Sequence, residues 1–267
     1  MLFIELFDVN PFYFFVLTAL ICTSIYYIIR SVFIKPGLVD VTYGKLDEDS
    51  RAIRINPRLG WLLMESPALL CFLWFVYDDN MSTAAIVVSL MWVIHYTHRS
   101  LIYPLQLNVS RKRPGLKLLS VVGLGGLFCG VNGYLNGLGI REYAPHLETT
   151  DWLYSPLFIG GIMVYVVGTM INKHSDYVLA SLRKEIPEGQ YGIPNKGLFK
   201  YVSSANYLGE LLIWLGFALS VFIPAAWMFL LFSMCNLVPR AISSHAWYHS
   251  TFKNYPKNRK IIIPFLY

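Results

Sequence analysis

Seven long apolar stretches separated by short polar segments divide the chain, at about residues 11–34, 61–77, 82–104, 116–140, 153–173, 205–222 and 225–244. Each is close to or above the roughly 17–25 residues with which a helix crosses a hydrocarbon core. The stretches are continuous, not short and alternating, which predicts helices and not the strands of a barrel. The expected fold is therefore all-α and multi-pass, with seven transmembrane helices in a single domain over 1–267. No internal repeat, low-complexity tract or long linker divides it. The first stretch is too long, and lacks the basic start, to be a cleavable signal peptide.

Composition agrees with the pattern: 55% of the 267 residues are hydrophobic and 14% charged, with a mean hydropathy of +0.49. An ordinary soluble domain is less apolar. Seven alternating spans place 21 of the 22 basic residues in four loops on one side, and only Arg141 on the other. The opposite loops carry Glu5, Asp8, Asp78, Asp79, Glu142, Glu148 and Asp151. Basic loops stay in the cytosol, so the amino terminus is expected outside and the carboxyl terminus cytosolic. The net charge of +6 then reflects topology and does not point to nucleic acid.

Other candidate features add little. Cys22, Cys71, Cys129 and Cys235 all fall inside predicted spans without disulfide or zinc spacing, and are expected to be buried, inert thiols. His95/His98 and His245/His249 resemble metal-ligand pairs, but a membrane di-iron site needs more histidines; His146 and His174 lie on opposite predicted sides, so no metal is expected. The glycine run 123–130 has Phe128 where a dinucleotide fingerprint needs glycine, and it lies mid-span. Gly126/Gly130 and Gly133/Gly137 instead predict close helix packing.

The informative positions are polar residues inside or at the ends of spans, where ionisable groups are costly and become functional candidates by default. At about 100° per residue, Asn172, Asp176 and Arg183 lie within about 40° of one another on one stripe. Tyr96, Arg99 and Tyr103 share a face of the third span. Glu65 stands in the second span with no basic residue nearby in sequence. Asn206 and Glu210 are one turn apart in the sixth, and Arg240, His245 and Tyr248 close the seventh. All are near predicted cytosolic ends, which suggests one polar cavity open to the cytosol. A polar ligand would enter from below and an apolar one from the bilayer. Plainer readings coexist: Glu65 as one half of an interhelical ion pair, and Tyr96 and Tyr103 as interfacial belt residues.

The motifs YGK at 43–45, ESP at 65–67, HYTHRSLIY at 95–103, INKHSDYVLASLRK at 171–184, YGIP at 191–194, GLFKYVSSANYLGE at 197–210 and NYPKNRKIIIPFLY at 254–267 resemble the steroid 5α-reductase family. The similarity runs from about Tyr43 to the end and is strongest toward the carboxyl terminus. It implies an integral-membrane reductase, of a bacterial inner membrane or the endoplasmic reticulum, that uses NADPH to saturate the 4,5 double bond of a 3-oxo-4-ene steroid. Carried over by position, Glu65 and Tyr96 grip the 3-keto oxygen. Asn172, Asp176, Arg183, Tyr191, Asn206, Glu210, Arg240 and Tyr248 form the NADPH pocket, joined by Tyr43, Lys45, Arg99, Tyr103 and Arg113. The substrate side falls mainly on spans one to four and the cofactor side on spans five to seven. Gly192 stands where the family often has a basic residue, and Ser244 where it has a histidine, leaving His245 as a substitute contact.

The implied chemistry suits these residue types. An enone accepts hydride when its carbonyl oxygen, where enolate charge develops, receives hydrogen bonds in the transition state. A tyrosine hydroxyl donates one, and Glu65 donates another when protonated. Arginines and lysines suit the cofactor's phosphates, and Asn and Glu its carboxamide and ribose. The resemblance names as partners a steroid or other lipid enone, NADPH and membrane lipid, with no obligate protein partner. Two other classes stay open: a polyprenal or enoyl-chain reductase of the same superfamily, and a membrane isoprenylcysteine-type methyltransferase. A lipid-binding scaffold needs no nucleotide at all.

Overall fold

Every predicted apolar stretch corresponds to a helix in the computed structural model, which describes residues 10–30, 53–107, 109, 115–187 and 189–267. Helix α1 (Pro11–Ile29) is capped by the Asn10 side chain, and α2 (Pro57–Val76) by that of Asn56. In both, proline occupies the first turn, where its missing N–H costs nothing. Helix α3 (Thr83–Thr97) passes through a π turn (His98–Ile102) into α4 (Tyr103–Gln106). Pro104 has no N–H for the Ser100 carbonyl and its ring crowds it, which accounts for the widening. The Ser100 hydroxyl in turn donates to the Tyr96 carbonyl at 2.6 Å. A second π turn (Leu118–Gly123) leads into α5 (Leu124–Glu142), followed by α6 (Pro156–Glu185), α7 (Ala205–Val221) and α8 (Pro224–Thr251).

Among the described residues, five segments are long and apolar enough to cross a membrane: α2, α3 through α4, α5 with its π turn, α6 and α8. Helices α1 and α7 are apolar but shorter. Large apolar side chains such as Phe15, Leu70, Trp74, Ile94 and Met170 are exposed on the outer faces. A water-facing surface rarely carries so many.

Two helices overrun their apolar stretches. Helix α6 is 30 residues long, about 45 Å at 1.5 Å per residue, and continues well past Lys173. Nothing between Gly168 and Pro187 breaks it, and Arg183 and Lys184 in its last turn complement the helix dipole. Ile186 is extended, as a residue before proline prefers. Helix α8 likewise runs through Pro239 to Thr251. The polar stripes of the sequence are thus true helix faces.

At one end, a two-stranded antiparallel pair, β1 (Arg54–Ile55) and β2 (Leu116–Lys117), ties the start of α2 to the start of α5. The core is aromatic: Trp92 stacks on Phe72 with ring centroids 4.9 Å apart and meets Tyr96, Trp214, Phe217 and Phe229. Its indole N–H donates to the Ala68 carbonyl at 3.1 Å, which fixes α3 against α2.

Glycine sets the closest helix contacts. A Cβ on Gly209 of α7 would lie 2.5 Å from the Asn172 backbone nitrogen of α6, and Gly168, Gly161 and Gly216 are as tightly placed along the same seam. On α5, Cβ atoms at Gly133 and Gly137 would meet the Ala68 and Phe72 carbonyls at 2.6 and 2.7 Å, as the sequence spacing predicts. Gly126 and Gly130 contribute more loosely, their nearest neighbours lying at 3.3 and 3.6 Å.

Gly209→Leu is accordingly expected to separate α6 from α7 and lower the Tm of detergent-purified protein, since overpacking typically costs about 1–3 kcal/mol or more. Gly160→Ala, which meets nothing within 4 Å, is the control expected not to lower Tm. Equal melting temperatures for both variants would contradict the seam.

Candidate active site

Where α2, α5 and α7 begin, α1, α3 and α6 end and the middle of α8 passes, the helices line a cavity of about 610 Å³. That is the size of a small-molecule site. Its walls are of two kinds. Leu124 and Phe128 of α5 and Phe229 and Phe232 of α8 are apolar, Phe128 and Phe232 being stacked at 3.8 Å. The segments α2, α3, α6 and α7 supply polar groups, joined by Asn236 and Arg240 of α8.

Arg99, in the π turn after α3, is the central cation. Its guanidinium lies 4.0 Å from the Glu65 carboxylate on α2 and 3.9 Å from Asp176 on α6. It also packs over the rings of Trp61 and Tyr103, at 4.9 and 4.8 Å. The Cys129 thiol of α5 reaches the other Glu65 oxygen at 3.9 Å. This thiol therefore belongs to the site and is not merely packing, as its position in an apolar span suggested.

Glu210 on α7 is the second hub. One of its oxygens accepts from the Trp214 indole at 3.1 Å and pairs with His95 Nε2 at 3.3 Å. The other accepts from Asn172 Nδ2 at 3.0 Å, and the same amide donates to the Asn206 carbonyl at 3.1 Å. Three helices are joined through one carboxylate. The glycine seam makes this possible, because Gly209 lets the Asn172 backbone come within reach of its neighbour Glu210.

Several buried polar atoms of α6 have no hydrogen-bond partner among the described residues: Asn172 Oδ1, Lys173 Nζ and Asp176 Oδ2, the last held only at ion-pair distance by Arg99. Asn172 and Asp176 line the cavity. Buried polar groups are normally satisfied, so such orphans at a cavity wall mark where a ligand's own donors would fit. Lys173, the last residue of the apolar stretch 153–173, is buried at its amine.

Ten sequence-predicted residues line this one cavity: Glu65, Tyr96, Arg99, Tyr103, Asn172, Asp176, Arg183, Asn206, Glu210 and Arg240. The Arg240 Nε donates to Asn236 Oδ1 one turn earlier, at 2.7 Å. Tyr191, His245 and Tyr248 are not among the lining residues. Tyr191 meets Trp247 edge-on at 5.3 Å, Tyr248 stacks on Tyr255 at 5.1 Å, and His245 Nδ1 contacts the Ser203 hydroxyl at 2.6 Å. These three form an aromatic cluster farther along α8. Tyr43, Lys45 and Arg113 lie outside the described residues.

The sequence reading missed Asn132, whose amide lies 3.5 Å from the Tyr96 hydroxyl, and Asn136, which supports it. Two asparagines at i, i+4 within a glycine-rich span were the available signal. It also missed the His95 and Trp214 contacts to Glu210, which no single-helix spacing reveals.

Residues 117–267 match the family described as 3-oxo-5-alpha-steroid 4-dehydrogenase. The chain is 39% identical over 241 residues to the Mus musculus protein named 3-oxo-5-alpha-steroid 4-dehydrogenase 1, covering 88% of this chain and 91% of that one. It is 35% identical over 241 residues to the Homo sapiens protein of the same name, with 89% and 90% covered. Similarity extends to plants: the Solanum lycopersicum protein named Steroid 5-alpha-reductase DET2 is 37% identical over 265 residues, with 97% and 98% covered.

Proposed function

Because this chain belongs to the 3-oxo-5-alpha-steroid 4-dehydrogenase family of oxidoreductases, we propose that it uses NADPH to reduce the 4,5 double bond of 3-oxo-4-ene steroids to 5α-dihydro products. The observation that carries this reading is the convergence of Glu65 and Tyr96 with the polar face of α6 and α7 on one cavity whose other wall is apolar. An amphipathic cavity of this kind suits a greasy enone beside a polar nucleotide.

The donor set fits NADPH. Arg183 and Arg240 offer guanidinium groups suited to phosphates. The orphan oxygens of Asn172 and Asp176 are acceptors for amide or hydroxyl donors. When bound, the cofactor supplies the hydride. The chain's own residues do the rest. Tyr96 and protonated Glu65 donate hydrogen bonds to the substrate's 3-keto oxygen, where charge accumulates as the β-carbon is reduced. Arg99, beside Glu65, adds positive potential to the same region. A proton from solvent, added at the α-carbon, then restores the ketone. Trp214 and Phe229, in the cavity wall beside Tyr96, exclude water there, which strengthens each of these interactions.

The seven helices are read as seven spans, with the amino terminus outside, the carboxyl terminus cytosolic and the cavity open to the cytosol. Polar NADPH cannot cross the bilayer, so the charge distribution supports the site's orientation. Thiol labelling of introduced cysteines is expected to mark positions in 189–200 and 253–260 from the cytosolic side only, and positions in 78–81 and 141–151 from the outside only. Outside labelling of 189–200 would place α6's polar end away from the cofactor and overturn the reading.

Glu65→Leu and Tyr96→Phe are expected to lower kcat by roughly 10²–10³, the usual effect of losing a preorganised donor to a developing oxyanion, with NADPH affinity nearly unchanged. Asp176→Ala, Arg183→Ala and Asn206→Ala are expected to weaken NADPH binding about tenfold or more, the effect of one charge-assisted hydrogen bond. Fluorescence titration and steady-state kinetics separate the two groups. Wild-type kcat for the first pair, or wild-type affinity for all of the second, would reject the assignment.

A further inference from the structure

We propose that Asn132 is a positioning residue that turns the Tyr96 hydroxyl proton toward the cavity, and that Asn136 fixes the orientation of the Asn132 amide. This rests on the reading of Tyr96 as a donor to the substrate carbonyl. Asn132 and Asn136 stand one turn apart on α5 and are both fully buried. Two amides in an apolar span are costly unless hydrogen bonds hold them.

The orientation follows from what each atom is able to do. One end of the Asn136 amide lies 3.1 Å from the Asn132 backbone carbonyl, which only accepts, so that end is the NH₂ group. The same NH₂ lies 3.0 Å from the Asn132 side chain, whose facing atom must then be its carbonyl oxygen, Oδ1. The remaining Asn132 atom, Nδ2, is therefore the one 3.5 Å from the Tyr96 hydroxyl. Asn136 keeps this orientation although its own Oδ1 has no partner among the described residues. Rotating it would set two acceptors against each other.

An amide N–H only donates, so the Tyr96 oxygen accepts on this side and its single proton must point elsewhere. The ring has little freedom to adjust, packed by Trp92 at 4.7 Å, His95 at 5.2 Å and Trp214 at 5.7 Å. Tyr96 itself lines the cavity. The outward proton thus faces the substrate space, and the long contact from Asn132 is of the sort that tightens as charge moves onto the phenol oxygen. The glycine contacts of Gly133 and Gly137 with α2 fix the rotation of α5 that aims both asparagines inward.

The test uses detergent-purified enzyme, NADPH and progesterone as a 3-oxo-4-ene probe. Asn132→Leu is expected to lower kcat roughly tenfold to a hundredfold with KM for steroid and Kd for NADPH little changed, and Asn136→Leu to lower it less. Asn132→Asp gives a readout that a merely structural role would not: its carboxyl donates to Tyr96 only when protonated, so its kcat should show a fall with rising pH additional to any that wild type shows through Glu65. In a Tyr96→Phe background, Asn132→Leu should cause no further loss. Wild-type kcat for Asn132→Leu, an undiminished loss in the Tyr96→Phe background, or a wild-type pH profile for Asn132→Asp would overturn the positioning role. Should Asn132→Leu fail to fold, the Asp variant's pH profile decides. Wild-type kcat for Tyr96→Phe alone would instead overturn the catalytic reading of Tyr96, and the positioning role with it.

Discussion

The balance of charge around Arg99 and Glu210 is the constraint on which this end of the bundle depends. Two carboxylates, from Asp176 and Glu210, and the carboxyl group of Glu65 sit among apolar helices with Arg99, His95 and the buried amine of Lys173. Removing one partner from such a set leaves an uncompensated charge and typically costs about 3–5 kcal/mol. Each pair also joins different helices: Arg99 ties the end of α3 to α2 and α6, and Glu210 ties α7 to α3 and α6. A hydrophobic bundle slides easily in lipid, where apolar contact discriminates little between registers. These polar contacts fix the register and hold the cavity open at one end.

The backbone prepares the set. The π turn at His98–Ile102, forced by Pro104, places Arg99 against Trp61 and Tyr103 with its charge turned toward both carboxylates. The glycine seam between α6 and α7 brings Asn172 against Glu210. Larger residues at Gly168, Gly209 or Gly216 would move the two helices apart and break the link between Asn172, Glu210 and His95. Packing and chemistry are therefore coupled.

Much of this was legible in the sequence, and for definite reasons. Hydropathy marks all seven helices because each carries a long apolar run, in five of them long enough to cross a membrane. The Asn172, Asp176 and Arg183 stripe could be read because helical spacing alone aligns those residues. Glu65 stood out because an acid in a span needs a reason. What was not legible depends on how helices rotate against one another. Asn132 meets Tyr96, Trp214 meets Glu210 and Cys129 meets Glu65 only across helix interfaces. The lengths of α6 and α8 were underestimated for a simpler reason: their final turns are polar, and an apolar window stops before the helix does. Tyr191, His245 and Tyr248 resemble site residues in sequence, yet they pack in an aromatic cluster outside the cavity walls.

Conjugate reduction, as proposed for this cavity, has one direct signature, the destination of the transferred hydride. Purified protein should be given NADPH deuterated at its transferable position together with a 3-oxo-4-ene steroid, and the product analysed by NMR. Hydrogen bonds to the 3-keto oxygen activate the β-carbon, so the account predicts one deuterium at C5, on the α face, and none at C4. A product without deuterium, deuterium at C4, or no reduction of any 3-oxo-4-ene steroid by folded, NADPH-binding protein would contradict it.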